Sequence, residues 1–300
     1  MSGPVELTAE HLTRWPLPRP EPGGDKNDRG RLLIVGGWRE LPGAVLLAAR
    51  GAMRAGAGKL QIGTGESLAA PLGLHMPEAR VLPLPEDDGG LADVTDALLK
   101  SAGSADAVLI GPGLLTGEAT GRLTRALLAA AGGRVALDAG ALCEREALAA
   151  ALDGGRGAGA QGARSPWAVL TPHAGELASL MEGEKAEVEA DPPAAARRAA
   201  AALGAVVALK GPVTHVAHPD GRLWVNRRGH DGLGVSGSGD VLAGIVGGLL
   251  ARGALPEQAA CWAVHLHAVA GERLAASIGS VGYLARELPD QVPVVLETFC

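Results

Sequence analysis

The chain reads as one α/β domain on a doubly wound, mostly parallel sheet, and three observations predict it. From about Arg31 onward, short apolar runs alternate with helix-period segments, the rhythm of βαβ units. The 300 residues are 47% hydrophobic but only 2% aromatic, so a core large enough for such a sheet has to be packed from Leu, Val, Ile and Ala. The rhythm breaks once, near Thr214, where two short apolar runs flank Pro219-Asp220-Gly221 and read as a small antiparallel hairpin at the sheet edge.

Taken in order, residues 1–25 read as an N-terminal extension and residues 26–300 as a single domain. A strand at 31–35 leads to a helix at 43–55, strands at 59–63 and 79–84, a helix at 92–101 and a strand at 106–110. The second half continues with a helix at 118–131, a strand at 134–138, a helix at 144–152, a strand at 168–170, helices at 172–181 and 194–203, and a strand at 205–209. The hairpin occupies 214–217 and 223–226. Only helices follow, at 241–251, 256–277 and in a shorter C-terminal segment, so no strand closes a last βαβ unit. Residues 153–164, rich in Gly and Ala, read as a mobile surface loop.

Net charge is −6 and the pI near 5.8, which leaves no general attraction for nucleic acid or an anionic membrane. A polyanionic ligand therefore needs a local site. Cys143, Cys261 and Cys300 are odd in number and widely spaced, which fits neither a disulfide framework nor a cysteine metal cage and suits a reducing compartment. The first 25 residues hold no apolar signal-like run, and no later run reaches the ~18 residues of a membrane span. The chain is expected to be soluble and cytoplasmic.

The most informative stretch is Gly234-Val235-Ser236-Gly237-Ser238-Gly239-Asp240-Val241-Leu242-Ala243-Gly244, a small-residue loop running into an apolar helix. Consecutive backbone N–H groups can approach an anion closely there, and the positive end of the helix favours negative charge. Asp240 would repel such a ligand, so it is either a helix-start residue or a group that handles a proton or metal in phosphoryl transfer. The crowding of glycines favours the second reading. Gly232, Gly234 and Gly237 spell G-x-G-x-x-G, but the loop follows a hairpin and lies past the middle of the chain, which excludes a Rossmann dinucleotide site. Gly51 to Gly56 has Walker spacing without the Lys and Ser/Thr, and reads as a helix-packing face.

Ligands bind at strand ends in open α/β sheets, and three strand-end loops carry further chemistry. Gly111-Pro112-Gly113 follows one strand and by itself is a turn. Thr171-Pro172-His173 follows another, with Thr171 and Pro172 reading as an N-cap and first-turn pair supported by Glu176. Lys210-Gly211-Pro212-Val213-Thr214 follows a third. A lysine ending a buried apolar strand has either a carboxylate partner or a phosphate. No metal set emerges: His215 and His218 face opposite sides of a strand, His265 and His267 stand about 200° apart on a helix, and Cys261 with His265 reads as core packing.

These motifs, in this order, resemble the ADP-dependent NAD(P)H-hydrate dehydratase family, of ribokinase-like fold. The landmarks are Lys26-Asn27-Asp28-Arg29-Gly30 with the strand to Gly37, Pro42-Gly43-Ala44, Arg54-Ala55-Gly56-Ala57-Gly58, Ile110-Gly111-Pro112-Gly113-Leu114, Leu137-Asp138-Ala139, Leu170-Thr171-Pro172-His173, Leu209-Lys210-Gly211 and Gly237-Ser238-Gly239-Asp240-Val241-Leu242-Ala243-Gly244. The resemblance implies that Ala44, Gly113 and His173 line the hydrated nicotinamide nucleotide and that Asp240, the catalytic base, also contacts it. It implies that Lys210, Gly211, Pro212, Val213 and Thr214, with Gly237, Ser238 and Gly239, hold ADP, or ATP in its place. Leu115, Gly140 and the run His230 to Ser236 depart from the family pattern.

The implied activity is the conversion of (S)-NADHX and (S)-NADPHX to NADH and NADPH, with ADP giving AMP and phosphate and Mg²⁺ on the nucleotide. The resemblance further implies a homo-oligomer, a tetramer, and a separately encoded epimerase as partner. The same fold and loop would also serve an ATP-dependent kinase of a small hydroxylated vitamin precursor or sugar, or a non-catalytic nucleotide sensor.

Overall fold

Interior parallel strands are covered on both faces and need continuous apolar runs, and five such runs form the middle of the sheet. In chain order the strands are β1 (Val5–Glu6), β2 (Arg31–Val35), β3 (Lys59–Gly65), β4 (Ala79–Leu84), β5 (Glu86–Asp87), β6 (Gly90–Leu91), β7 (Ala107–Ile110), β8 (Arg134–Leu137), β9 (Ala168–Leu170), β10 (Val206–Leu209), β11 (Thr214–Ala217) and β12 (Leu223–Asn226). Ten of them make one sheet in the order β1-β12-β11-β10-β9-β8-β7-β2-β3-β4, while β5 and β6 pair separately. From β10 to β4 all neighbours are parallel, and β11 is antiparallel to both β10 and β12. The computed structural model describes residues 3–19, 23, 25, 28–87, 90–91, 93–143, 145–153 and 167–299. The expected loop at 153–164 lies, from residue 154, outside them.

The period of two along the strands divides the core. Leu32 and Ile34 face a layer that includes helices Pro42–Arg54, Ser238–Ala251 and Pro256–Ser277, while Leu33 and Val35 face one that includes Asp96–Ser104, Glu118–Ala130 and Pro192–Leu203. Helix Ser238–Ala251 is buried along its length except at Gly239 and Asp240. It lies against Pro42–Arg54 through small residues: a Cβ at Gly244 would stand 2.1 Å from the Ala48 carbonyl oxygen, one at Gly248 2.5 Å from that of Ala52, and one at Gly51 2.7 Å from that of Val241. Gly51 thus serves the packing face expected of it.

Several expectations are corrected. The hairpin is not the sheet edge, because β1 pairs parallel to β12 with Val5 opposite Trp224. This is a tertiary effect: Trp15 stacks on Trp224 at 5.8 Å, and its carbonyl accepts from Trp262 Nε1 at 2.9 Å. The helix after the glycine loop begins at Ser238, not at 241. Helices Ala9–Thr13, Glu66–His75 and Lys185–Ala190 were not foreseen. Glu66–His75 contains Pro71, which argues against a helix, and it forms because Glu86 accepts from the Ser67 N–H at 2.7 Å, satisfying a first-turn donor.

Gly244→Ala should lower stability in urea unfolding, because overpacking costs about 1–3 kcal/mol or more and outweighs the ~1 kcal/mol that Ala gains over Gly in a helix. Gly73→Ala, where the nearest atom to a new Cβ is Val81 Cγ2 at 3.8 Å, should instead be neutral or stabilising. Equal behaviour of the two variants would refute the seam as a packing constraint.

Candidate active site

The C-terminal ends of β2, β7, β8, β9 and β10 lie side by side and deliver Gly36-Gly37, Gly111-Pro112-Gly113, Asp138, Thr171-Pro172-His173 and Lys210 to one rim of the sheet. Gly37 N–H donates to the Pro112 carbonyl at 2.8 Å, which joins the first two loops. Gly113 has φ +72° and is so close to helix Pro42–Arg54 that a Cβ there would lie 2.9 Å from Ala44 Cβ. Two of the expected substrate residues, Ala44 and Gly113, are therefore neighbours.

Lys210 is the centre of charge. Its Nζ donates to Asp138 Oδ1 at 3.0 Å and lies 3.7 Å from Glu176 Oε2. Of the two partners a buried strand-end lysine can have, the fold supplies the carboxylate. Asp138 also accepts from Thr171 Oγ1 at 2.7 Å, and the next residue, Ala139, has φ +47°, a strained conformation for a residue with a side chain. Burial alone would lower the Lys210 pKa, but Asp138, Glu176 and Asp240 outweigh it and hold the ammonium above its ordinary value.

The glycine loop closes over this lysine. Gly237, at φ +89°, starts the helix with no capping side chain, and a Cβ at Gly239 would stand 3.4 Å from Lys210 Nζ. Asp240 is the third helical residue and half-buried, not the residue that starts the helix. Burial, and then the Asp138 carboxylate, push its pKa from 3.8 up to about 7; Lys210 pulls the other way, and Glu176 adds to the rise.

His173 stands one strand from Lys210, and the two form a single parallel bridge with Lys210 N–H donating to the Pro172 carbonyl at 2.8 Å. The cap of the following helix is His173 itself, not Thr171 with Pro172. Its Nδ1 accepts from Gly175 and Glu176 N–H at 3.0 and 3.1 Å, and Glu176 accepts from His173 N–H at 2.7 Å. Nδ1 as acceptor leaves the hydrogen on Nε2, on a side chain 60% exposed. Gly211 and Pro212 are exposed in the turn after Lys210, Val213 is half-buried, and Thr214 opens β11 opposite Asn226.

Three carboxylates around one lysine were not foreseen as a unit. Asp138 ends an apolar strand just as Lys210 does, and that placement is its signal in the sequence; Thr171 and Glu176 carry only helix-start signals there. Among the described residues no group of three or more His, Cys, Asp or Glu is placed to hold a metal ion, and no helix is long and apolar enough to cross a membrane.

Glycine loops, a strand-end lysine and a carboxylate in the first turn of a helix, all on one sheet rim, define a ribokinase-like, nucleotide-handling protein. A ribokinase-like superfamily protein of Enterococcus faecalis V583 aligns with a TM-score of 0.81 at 25% identity, over 100% of this chain and 98% of its own. More narrowly, residues 32–294 match the NAD(P)H-hydrate dehydratase family, and the chain belongs to that family. It is 48% identical over 298 residues to an ADP-dependent (S)-NAD(P)H-hydrate dehydratase of Xanthomonas campestris pv. campestris, covering 99% of this chain and 98% of that one. A bifunctional NAD(P)H-hydrate repair enzyme of Moorella thermoacetica is 36% identical over 285 residues, which is 94% of this chain and 52% of the relative, so the chain spans about half its length. The ADP/ATP-dependent NAD(P)H-hydrate dehydratase of Bacillus subtilis, co-crystallised with ATP and Mg²⁺, aligns with a TM-score of 0.82 at 32% identity over the whole of both chains.

Because its folded pKa is raised to about 7, Asp240 contributes stability that is complete below the unfolded value of about 4 and lost as pH rises through about 7. Asp240→Asn mimics the neutral acid. Its stability advantage over wild type should grow by on the order of 2 kcal/mol between pH 5 and 8, read from urea midpoints at each pH. A gap that does not change with pH would show that Asp240 titrates near its ordinary value.

Proposed function

We propose that the protein is an ADP-dependent (S)-NAD(P)H-hydrate dehydratase that returns hydrated nicotinamide nucleotides to NADH and NADPH. The observation that carries the reading is Asp240, a carboxylate poised near pH 7 in the first turn of the glycine-loop helix, beside Lys210. A base with such a pKa is partly ionised at neutral pH and still basic enough to take a hydroxyl proton.

In this reading Ala44, Gly113 and His173 line the nicotinamide nucleotide, while residues 210–214 and 237–239 hold ADP. Asp240 accepts the proton of the ring hydroxyl as that oxygen bonds to the β-phosphorus and the bond to AMP breaks. The ring nitrogen then expels phosphate, and a proton leaves the adjacent ring carbon, so the sum is hydrate plus ADP giving reduced nucleotide, AMP and phosphate. Backbone N–H groups at 237–239 and the helix dipole offset the charge on the transferring group. Lys210 stays charged through this and is kept in reach by Asp138 and Glu176. Mg²⁺ is assigned to the nucleotide phosphates, a placement supported by the Bacillus subtilis relative co-crystallised with ATP and Mg²⁺. We further propose a cytoplasmic homo-oligomer, a tetramer by family resemblance, served by a separate epimerase.

The test is incubation with NADHX and ADP, following NADH absorbance and AMP release; a stable phosphoester product would instead identify a kinase. Asp240→Asn should lower turnover ~10²–10⁴-fold while ADP affinity holds or improves. Activity within a few-fold of wild type would return Asp240 to a purely structural role.

His173→Ala should raise the KM for NADHX by the ~0.5–1.5 kcal/mol of a neutral hydrogen bond and leave ADP affinity by calorimetry unchanged. Because Ala also removes the helix cap, His173→Asn, which keeps a capping acceptor, should show the same KM effect with wild-type stability. Loss of ADP binding with an unchanged KM would reverse the two subsites.

A further inference from the structure

Ser238, the first residue of the helix that carries Asp240, meets His267 of helix Pro256–Ser277 in the interior, with the two residues 5% and 9% exposed. His267 Nε2 lies 2.9 Å from Ser238 Oγ and 3.0 Å from the Ser238 carbonyl oxygen. A carbonyl can only accept, so Nε2 carries the hydrogen, and a nitrogen that carries it cannot accept from the hydroxyl. The hydroxyl hydrogen of Ser238 is thereby turned away from the ring. Burial lowers the imidazole pKa to about 4, with the Ser238 carbonyl opposing and Lys210 assisting, so the ring is neutral around pH 7.

The contact answers a structural deficit. Gly237 provides no side-chain cap to this helix, and an uncapped first turn frays. Here that turn bears both Asp240 and the loop N–H groups.

Resting on the dehydratase reading above, we propose that His267 is a positioning residue: its Nε2–H ties the first turn of the Asp240 helix to the neighbouring helix and leaves the Ser238 hydroxyl free to donate to a nucleotide phosphate. It is a fixed donor and not a proton carrier.

The test compares His267→Gln, which can donate and does not titrate, with His267→Leu, which cannot donate. Steady-state kinetics with NADHX and ADP, ADP calorimetry and urea unfolding are measured on both. The Leu variant should lose about 10- to 100-fold in kcat, the scale of a small misplacement of reacting groups, with weakened ADP binding. The Gln variant should recover to within a few-fold of wild type and keep the rising limb of the pH–rate profile, which Asp240 as the base sets. If the Leu variant does not fold, Ser238→Ala replaces it and should weaken ADP binding several-fold with that limb unmoved. Folded Leu variant with wild-type kinetics, Gln and Leu variants equally impaired, or Ser238→Ala binding ADP as wild type does would each overturn the proposal. Wild-type protein with no turnover on NADHX would sink the dehydratase reading, while ADP calorimetry on the same variants would still decide the role of His267.

Discussion

Backbone contact between two helices sets the geometry on which the rest depends. The Ala48 carbonyl lies where a side chain at 244 would be, and the Ala52 carbonyl where one at 248 would be, so helices Pro42–Arg54 and Ser238–Ala251 are locked at a separation that larger residues cannot reach. Both helices begin at the rim where the parallel strands end. Ala44, in the first turn of one, sits against Gly113, and Gly239, in the first turn of the other, sits against Lys210. One seam of small residues therefore positions both proposed subsites.

Electrostatics at the rim is decided by competition between the helix dipole and burial. A dipole favours a carboxylate at a helix start by about 0.3–1 kcal/mol. The rise of Asp240 from 3.8 to about 7 corresponds to about 4 kcal/mol in the opposite sense, so burial and the Asp138 carboxylate win. Lys210 offsets this only in part because it is already committed to Asp138 and Glu176. An ammonium shared in this way is held close to Asp240 without neutralising it, which leaves the base near the pH at which proton transfer is most effective.

Local sequence determined what depends on periodicity and end residues: the seven parallel strands, the late hairpin, the helical C-terminal part, and Asp240 and Lys210 as unusual charges. It did not disclose what depends on contacts distant in the chain. The segment after β1 is held to β12 where Trp15 meets Trp224, and Glu86 supplies an acceptor to the first turn of helix Glu66–His75; neither contact has a signal in its own segment. Asp138 and Lys210 are 72 residues apart and become one unit only when β8, β9 and β10 line up. The spacing of His265 and His267 speaks only to their own helix, while the partner of His267, Ser238, is on another.

The departures from the family pattern acquire a spatial meaning in the same way. A Cβ at Gly140 would stand 2.4 Å from the Leu114 carbonyl oxygen and 2.9 Å from the Leu115 carbonyl carbon. Leu115 and Gly140 are thus a single feature: the loop after β7 occupies the space that any side chain at residue 140 would need. Thr120 Oγ1 holds the loop there by donating to the Leu115 carbonyl at 2.6 Å. In the run His230 to Ser236, His230 Nδ1 accepts from Gly232 N–H at 3.1 Å and caps the short turn before the glycine loop. In this chain, therefore, backbone contacts of Gly140 and Leu115 and the His230 cap support the loops that flank Asp138, Lys210 and Asp240.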